Sequence, residues 1–236
     1  MVGRMISVIV PSLNEEKYIE PTLKALRNQD YKGEYEIIVV DGGSKDKTVK
    51  IAKKYADKVI VVGKGIGKGR NEGAKVAKGD IFIFVDADTI LLFNVLTEIK
   101  KSFRKKGVVG ASCPVLPISA QVKDFMPYWI YNLFAKSTTK TDKSRLATIC
   151  FACRKDVFEK VGGFREDDKI GEDFDLTEKL SKIGEIRFTE ETLAMTSPRR
   201  LRHWGRLKGV GKYMGFYLTR LITGSSVEAE KYVPVR

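Results

Sequence analysis

Residues 80–89 read DIFIFVDADT, an apolar strand that runs into two carboxylates separated by one alanine. Successive strand side chains point to opposite faces, so Asp86 and Asp88 are predicted to point the same way. Their Cα atoms would lie about 6.6 Å apart, two strand rises. Like charges at that range repel unless a cation sits between them or one carboxyl is protonated. A strand that ends in a solvated acidic turn would give the same residues. The choice between a cation site and such a turn depends on the rest of the chain.

The composition is that of a soluble globular protein, with 43% hydrophobic and 31% charged residues among 236. No apolar run approaches the roughly 20 residues that cross a bilayer, and the first residues lack a signal-peptide layout, so we expect a cytoplasmic protein. Three cysteines do not form a disulfide scaffold. Only two glutamines accompany many lysines and glutamates, which leans towards a thermophilic source.

The net charge of +13 predicts an anionic partner, and nucleotide phosphates, lipid headgroups and nucleic acid all qualify. The charge is concentrated near the C-terminus. Residues 192–227 contain seven basic residues and no acidic one. We therefore divide the chain into a core, 1–198, and a basic amphipathic segment, 199–236. The core has a first half, 1–112, and a second half, 113–198.

Strands and helices alternate through the first half, which predicts parallel strands joined by helical crossovers. The predicted strands are Ile6–Val10, Glu36–Val40, Lys58–Val62, Ile81–Val85 and Val108–Ser112. The predicted helices between them carry Ile19, Leu23 and Leu26, then cover 46–56, 69–78 and 93–105. In such an α/β, Rossmann-like sheet, ligands bind outside the carboxyl ends of the strands.

The second half is less regular. Residues 125–136 read FMPYWIYNLFAK, and helices are predicted over 154–161 and 173–183. A basic amphipathic helix is predicted over 208–222. The aromatic stretch and this last helix are by default core elements. Basic residues that flank the last helix also fit peripheral binding to an anionic membrane, which would favour a lipid-linked acceptor.

Polar clusters follow four successive predicted strands. They read PSLNEE at 11–16, DGGSKDKT at 41–48, GKGIGKGRNEG at 63–73 and DAD at 86–88. Taken singly, each cluster is explained as a helix cap, a turn or a solvated charge. Taken together, the clusters predict a nucleotide pocket at one edge of the sheet. No Gly-Lys-Ser/Thr occurs and the first strand lacks G-x-G-x-x-G, so a P-loop ATPase and a hydride-transfer enzyme are disfavoured.

With GGF at 162–164 and GED at 171–173, these motifs resemble the family-2 glycosyltransferases of GT-A fold, over roughly Ile6 to Met195. The resemblance implies an inverting enzyme that uses a nucleotide-sugar donor and Mn²⁺ or Mg²⁺. One departure is DGGS where many members read DDGS, which removes a second carboxylate after Asp41.

The resemblance also implies site residues. Asp86 would reach the ribose and Asp88 would hold the metal, with Asp86 beside it. The residues implied for nucleotide binding are Pro11, Ser12, Asn14, Glu15, Asp41, Lys68, Arg70 and Asn71.

The implied catalytic base is Asp173, which follows Glu172 at the start of a predicted helix. A carboxylate there would accept the proton of an attacking hydroxyl. Asp175 is the rival base, and both acids are also explained as favourable charges at a helix N-terminus. Gly163, Phe164 and Glu172 would lie on the acceptor side, the first two in the GGF loop.

Further signals remain open. His203, the only histidine, is a possible metal ligand or a partly buried neighbour of Trp204. A diphosphate clamp of three arginines is possible, and the same residues could face anionic lipid: Arg199, Arg200 and Arg206. Cys150 and Cys153 form one CxxC without a second pair, which favours buried structural thiols over zinc.

We therefore predict a metal-dependent inverting glycosyltransferase, with UDP-sugar favoured over GDP-sugar as donor. The acceptor would be a hydroxyl or phosphate. A lipid-linked acceptor would place the enzyme peripherally at the inner face of the cell membrane. One alternative is a sugar-phosphate nucleotidyltransferase, although PSLNEE is not the glycine-rich loop such an enzyme carries. The other is a non-catalytic basic module binding membrane or nucleic acid, and the intact DAD and GED motifs make nucleic acid an unlikely partner.

Overall fold

The computed structural model describes residues 5–166 and 171–205, together with the single positions 208, 211 and 215. Within these residues the chain forms ten strands. They are β1 Ile6–Ser12, β2 Tyr35–Asp41, β3 Lys58–Val61, β4 Ile81–Val85, β5 Thr89–Leu91, β6 Val108–Ser112, β7 Val115–Pro117, β8 Cys150–Arg154, β9 Glu185–Phe188 and β10 Ala194–Thr196.

The same residues contain helices between the strands and a short 3₁₀ turn at Val122–Asp124. The helices are α1 Ile19–Arg27, α2 Thr48–Ala52, α3 Ile66–Val76, α4 Val95–Ser102, α5 Phe125–Thr138, α6 Lys155–Lys160, α7 Glu172–Ser181 and α8 Arg199–Trp204. None of the described helices is long and apolar enough to cross a membrane.

Seven strands form one sheet in the order β3-β2-β1-β4-β8-β6-β9. The first four are parallel, and β8 runs antiparallel to both of its neighbours. Strand β9 pairs in parallel with β6. The mostly parallel α/β sheet confirms the predicted fold class. Since β8 and β9 come from residues 113–198, both predicted halves of the core share this sheet.

Successive side chains of each strand point to opposite faces of the large sheet, and helices cover both faces. An apolar core therefore lies on each face. On one face, Val8 and Ile83 pack with apolar side chains of α1 and α4. On the other face, Ile9 and Phe84 pack with side chains of α3, α6 and α7. The central strands are apolar throughout because helices cover both of their faces.

A second sheet of three short strands, in the order β5-β10-β7, was not predicted. Strand β10 pairs antiparallel with β5, so Thr196 lies opposite Thr89. Thr89 is the residue that follows the DAD motif. Strands of three residues carry too short a pattern to be read from sequence. This sheet brings the C-terminal part of the described chain back to the end of β4.

Most predicted elements are confirmed, with shifted ends. The strand predictions at Ile81–Val85 and Val108–Ser112 match β4 and β6. Helix α3 begins at Ile66, three residues before the predicted start, and α2 is shorter than predicted. The helix predicted over 208–222 falls almost wholly outside the described residues.

The two thiols of the CxxC lie on opposite sheet faces, as strand alternation requires. Cys150 packs in the core with α1 and α4, and Cys153 packs in the other core. Both are fully buried free cysteines. The prediction of buried structural thiols is confirmed.

Helix α3 packs unusually close to the sheet at Gly73. A Cβ atom there would lie 2.5 Å from Ile9 Cγ2 and 2.9 Å from Val40 Cγ2. At Gly69, one turn earlier, the nearest atoms would be 3.7 Å and 3.8 Å away, which is ordinary contact. We expect Gly73→Ala to lower the free energy of unfolding by about 1–3 kcal/mol through overpacking.

Gly69→Ala is the matched control for this prediction. It should raise stability by up to about 1 kcal/mol, because alanine favours the helix and meets no obstruction. Urea denaturation of both variants gives the comparison. Equal effects of the two substitutions would contradict the close approach of α3 to β1 and β2.

Candidate active site

The loops after β1 and β2 are joined around the buried carboxylate of Asp41. One of its oxygens accepts the backbone amides of Gly43 and Ser44 at 2.9 Å and 2.7 Å. The other accepts the hydroxyls of Ser44 and Ser12 at 2.5 Å and 3.2 Å. Asp41 therefore fixes the loop that follows it and ties that loop to the end of β1.

Asn14 adds a second link between these loops. It is the only non-glycine residue with positive φ in the described chain, at 54°, a conformation that asparagine tolerates. Its side-chain oxygen accepts the Lys45 amide at 2.8 Å, and its own amide donates to the Ser44 hydroxyl at 2.7 Å. These bonds place Pro11, Ser12 and Glu15 beside the carboxyl end of β2.

Arg70, on α3, is a buried cation at the carboxyl end of β4. Its side chain is 2% exposed and contacts Asp86 at 3.1 Å and Glu172 at 3.0 Å. The guanidinium also lies 5.0 Å from the centre of the Phe164 ring. One side chain thus connects the DAD turn, the GGF loop and the start of α7.

Asn71, the next residue, holds the GGF loop by its backbone. Its side-chain oxygen accepts the Phe164 amide at 2.9 Å, and its nitrogen donates to the Phe164 carbonyl at 2.8 Å. Gly163 has a φ of 68°, and a Cβ there would meet the Asn71 oxygen at 2.7 Å. Phe164 itself is 2% exposed and packs against Phe84, so it supports this loop from the core.

The two aspartates of the opening motif lie in a turn, because β4 ends at Val85. The predicted strand end at Val85 is confirmed, and the strand spacing assumed for the two carboxylates therefore does not apply. They still interact: burial and the nearby charge of Asp86 raise the pKa of Asp88 to about 6. The Asp88 carboxylate accepts the Thr196 hydroxyl at 3.3 Å and pairs with Arg199 at 3.3 Å.

Arg199, the first residue of α8, is shared between two acids. Its guanidinium lies 2.5 Å from Glu15 and 3.3 Å from Asp88, and stacks 4.4 Å from the centre of the Tyr18 ring. A cationic group therefore already sits between the loop after β1 and the DAD turn. The arrangement indicates that this position stabilises positive charge.

Asp173 lies in the first turn of α7, beside residues that sequence reasoning missed. Its carboxylate accepts the Thr148 amide at 3.3 Å. The Thr148 hydroxyl is buried and has no hydrogen-bond partner in the described structure. Gly171, with a φ of 96°, precedes the helix and allows the turn that presents Glu172 and Asp173. No sequence pattern marks Thr148, since it reaches Asp173 only through folding.

The oxygen-rich surroundings of Asp88 fit a hard divalent cation that completes its ligand shell with substrate phosphates. Among the described residues, no three acidic, cysteine or histidine side chains are grouped as metal ligands. A cation would thus rely on Asp88, with Asp86 nearby. His203 is exposed and lines a groove with Lys123 and Met126, and is not part of a preformed ligand group with the two aspartates.

The remaining predicted residues have distinct positions. Lys68 is partly exposed on α3, with its ammonium group near Gly63. Arg200 is close enough to Asp88 that its positive charge partly offsets the rise in the pKa of that carboxyl. Arg206 lies outside the described residues. Of the predicted arginine clamp, Arg199 and Arg200 are therefore described, and Arg199 pairs with Glu15 and Asp88.

Glu172 supplies a pH-dependent prediction. Burial, together with the Asp173 charge, raises the pKa of Glu172 to about 7 from 4.5. A raised carboxyl pKa means that the folded chain holds this proton more tightly than the unfolded chain. Its contribution to stability is therefore complete below pH 4.5 and is lost as the pH rises to about 7.

We expect the wild-type free energy of unfolding, relative to Glu172→Gln, to fall by up to about 3 kcal/mol between pH 4.5 and 7 and then to level off. Denaturant unfolding of the donor-free proteins across this range measures it. Glu159→Gln, at an exposed glutamate, serves as control and should track the wild type. Parallel curves for wild type and Glu172→Gln would contradict the raised pKa.

The chain matches known proteins in sequence. The Glycosyl transferase family 2 model matches residues 7–162. The probable glycosyltransferase YdaM of Bacillus subtilis is 30% identical over 208 residues, which cover 78% of this chain and 48% of YdaM. Poly(ribitol-phosphate) beta-N-acetylglucosaminyltransferase TarS of Staphylococcus aureus is 44% identical over 90 residues, 35% of this chain and 16% of TarS. The chain spans less than two thirds of the length of these relatives.

Solved structures agree on the fold. A crystal structure of S. aureus TarS residues 1–349 aligns with a TM-score of 0.66 at 22% identity, covering 86% of this chain and 64% of that one. A mannosyltransferase from Pyrobaculum calidifontis aligns with a TM-score of 0.65 at 21% identity, covering 89% of this chain and 64% of that one. With more than half of its length matched by the family model, the chain belongs to glycosyl transferase family 2 and has the GT-A fold.

Proposed function

We propose that this glycosyltransferase is an inverting, divalent-cation-dependent enzyme that transfers a sugar from a nucleotide-sugar to an acceptor hydroxyl or phosphate. The observation that carries the proposal is the environment of Asp88. This partly buried acid lies at the sheet edge where the loops after β1, β2 and β4 converge, and it contacts the cationic Arg199. Convergence at the carboxyl ends of parallel strands is the usual position of a nucleotide site.

A UDP-sugar is the favoured donor class. TarS, similar in both sequence and fold, has been solved with UDP-GlcNAc and with UDP. The structurally similar mannosyltransferase was solved with GDP-Man and Mn²⁺, which supports a divalent cation and leaves GDP-sugars as the class to compare. The choice between Mn²⁺ and Mg²⁺ does not affect the residues involved.

The proposed donor residues separate into three groups. Those in the loops after β1 and β2 bind the nucleoside: Pro11, Ser12, Asn14, Glu15 and Asp41. Asp86 reaches the ribose and Lys68 reaches the diphosphate. Arg70 and Asn71 act as positioning residues, because their side chains already hold Asp86, Glu172 and the backbone of Phe164.

Asp88 is the proposed cation ligand, with Asp86 beside it and His203 as a further candidate. A divalent cation bound there would offset the negative charge that develops on the leaving nucleoside diphosphate. In this structure, Arg199 forms an ion pair with Asp88. We assign it, with Arg200 and Arg206, to the diphosphate once Asp88 holds a cation, because guanidinium pairs well with phosphate.

Asp173 is the proposed general base. The acceptor O–H would lose its proton to the Asp173 carboxylate as its oxygen forms a bond to the sugar C1 carbon. The bond from C1 to the diphosphate breaks on the opposite face, which inverts the configuration. The Thr148 amide orients the carboxylate. Glu172 stays bonded to Arg70, which leaves Asp173 as the acid available to the acceptor.

Donor binding tests these roles with a matched pair of variants. We expect calorimetric titration with UDP-sugars to show Mn²⁺-dependent binding that Asp88→Asn weakens at least about tenfold, or 1.4 kcal/mol. Asp173→Asn removes the same charge nearby. It should bind donor within about threefold of wild type, but release nucleoside diphosphate about 10²–10⁴-fold more slowly when acceptor is present.

GDP-sugars serve as the comparison donors, and glycolipids and polyprenyl phosphates serve as acceptors. Equal loss of binding in both variants would contradict the separation of cation ligand and base. Unchanged Mn²⁺-dependent binding in Asp88→Asn would remove Asp88 as the cation ligand. No binding of any nucleotide-sugar by the wild type would overturn the proposed donor class.

A further inference from the structure

The 3₁₀ turn and α5 display large apolar side chains to solvent. Val122 is 86% exposed, Trp129 63%, Leu133 51% and Met126 46%. At 3.6 residues per turn, positions 126, 129, 130 and 133 lie within an arc of about 100° on α5. We call this surface, residues 122, 126, 129, 130 and 133, the apolar face.

The orientation of the apolar face is fixed by the opposite side of α5. Tyr128 and Ala135 are buried there. Asn132 accepts the Val115 amide and donates to the Val115 carbonyl, both at 2.9 Å, which fastens the helix to β7. The apolar face is thus the outer surface of a firmly docked helix.

Basic groups surround the apolar face. Lys123 and Lys140 are exposed at its two ends, and Lys136 pairs with Glu190 at its edge. Asp124, between Lys123 and the helix, has a 1% exposed side chain and is bound by Arg202 at 2.5 Å. Two exposed lysines therefore lie at the ends of the apolar face, and the acids named beside it are paired with basic side chains.

A groove adjoins the apolar face where α5 begins and α8 ends. It has a volume of about 660 Å³. Its lining combines basic and apolar side chains: Lys123, Met126, Arg202, His203, Trp204 and Lys208. An apolar surface beside a cationic groove matches the two layers of a membrane interface, in which anionic headgroups lie above acyl chains.

We propose that the apolar face and this groove form a docking surface for an anionic phospholipid membrane. The apolar side chains enter the boundary between headgroups and acyl chains, while the groove receives a headgroup phosphate. Charge complementarity selects this occupant over a neutral protein surface, because the chain carries +13 and basic residues border the apolar face. An isolated patch of this kind on a folded surface marks an interaction site.

The docking surface is connected to the donor site through α8. Arg202 of α8 binds Asp124 at the start of α5, and Arg199, three residues earlier, binds Asp88. A membrane at the apolar face would therefore lie close to the sugar-transfer site, which favours an acceptor presented by a lipid. This connection rests on the proposed function, whereas membrane docking itself does not.

Tryptophan fluorescence of the full chain tests the docking surface directly. The sequence has two tryptophans, so Trp204→Phe leaves Trp129 as the single reporter. Vesicles of phosphatidylcholine with phosphatidylglycerol should shift the Trp129 emission to the blue, and acyl-chain-brominated lipids should quench it. Unchanged emission while the protein co-sediments with these vesicles would place docking elsewhere and overturn the proposal.

Partitioning of variants provides the second measurement. Trp129→Ser with Leu133→Ser should lower the vesicle partition coefficient at least about tenfold. Phe93→Ser is the matched control, because Phe93 is 64% exposed but lies away from α5, before α4. Lys123→Gln should lower partitioning onto anionic vesicles about fivefold, as expected for one basic residue, while Lys106→Gln should not.

Other occupants give different results. A dimer that dissociates in the Trp129 and Leu133 variant would show that a second copy covers the face, and would overturn the proposal. Equal partitioning onto anionic and neutral vesicles would remove the role of the groove. A wild-type protein that binds the vesicles but binds no nucleotide-sugar would contradict the proposed function alone. The proposed docking surface would be unaffected by that result.

Discussion

The buried guanidinium of Arg70 is the interaction on which the site depends. It is 2% exposed, sits between Asp86 and Glu172, and lies over the Phe164 ring. Removing one partner of such a buried pair costs about 3–5 kcal/mol, because the remaining charges lose their compensation. Arg70 therefore fixes the relative positions of the DAD turn, the GGF loop and the start of α7.

The charge balance around Arg70 leads to the proposed chemistry. Asp86, Glu172 and Asp173 lie near the fully buried Arg70 cation, and Asp88 lies near Asp86. Burial, together with repulsion from neighbouring acids, raises the pKa of Asp88 to about 6 and that of Glu172 to about 7. Arg199 reaches in from α8 and partly offsets this excess at Asp88. Such a site would gain from added positive charge, which the proposed divalent cation would supply to the Asp88 carboxylate and to the diphosphate of the donor.

Much of this arrangement could be predicted from the sequence because local patterns carried it. The run at Ile81–Val85 predicted the buried strand, and polar motifs after successive strands predicted one edge where a ligand binds. The family resemblance placed Asp88 and Asp173 in that edge. These predictions depend on short-range patterns and on the rule that parallel strands end together.

Other features could not be predicted, since they depend on contacts between distant parts of the chain. The pairing of Arg70 with Glu172 joins residues 102 positions apart. Strand β10 brings Arg199 to Asp88 through three-residue strands without a readable period. The strand geometry assumed for Asp86 and Asp88 was wrong because the chain turns at Asp86 to begin β5.

The aromatic stretch at 125–136 shows the same limit. Its composition predicted a core element, and the fold gives this helix both a buried and an exposed apolar side, with Tyr128 inside and Trp129 outside. Helix α8 binds Asp124, just before α5, and also binds Asp88, so the proposed docking surface and the proposed donor site share a structural element.

The most direct test of Asp88 as the cation ligand is anomalous diffraction from crystals grown with Mn²⁺ and UDP. We expect a manganese peak at the Asp88 carboxylate, with Arg199 withdrawn from Asp88 and turned towards the diphosphate. A nucleotide bound with manganese elsewhere, or with the Arg199–Asp88 pair intact, would contradict it.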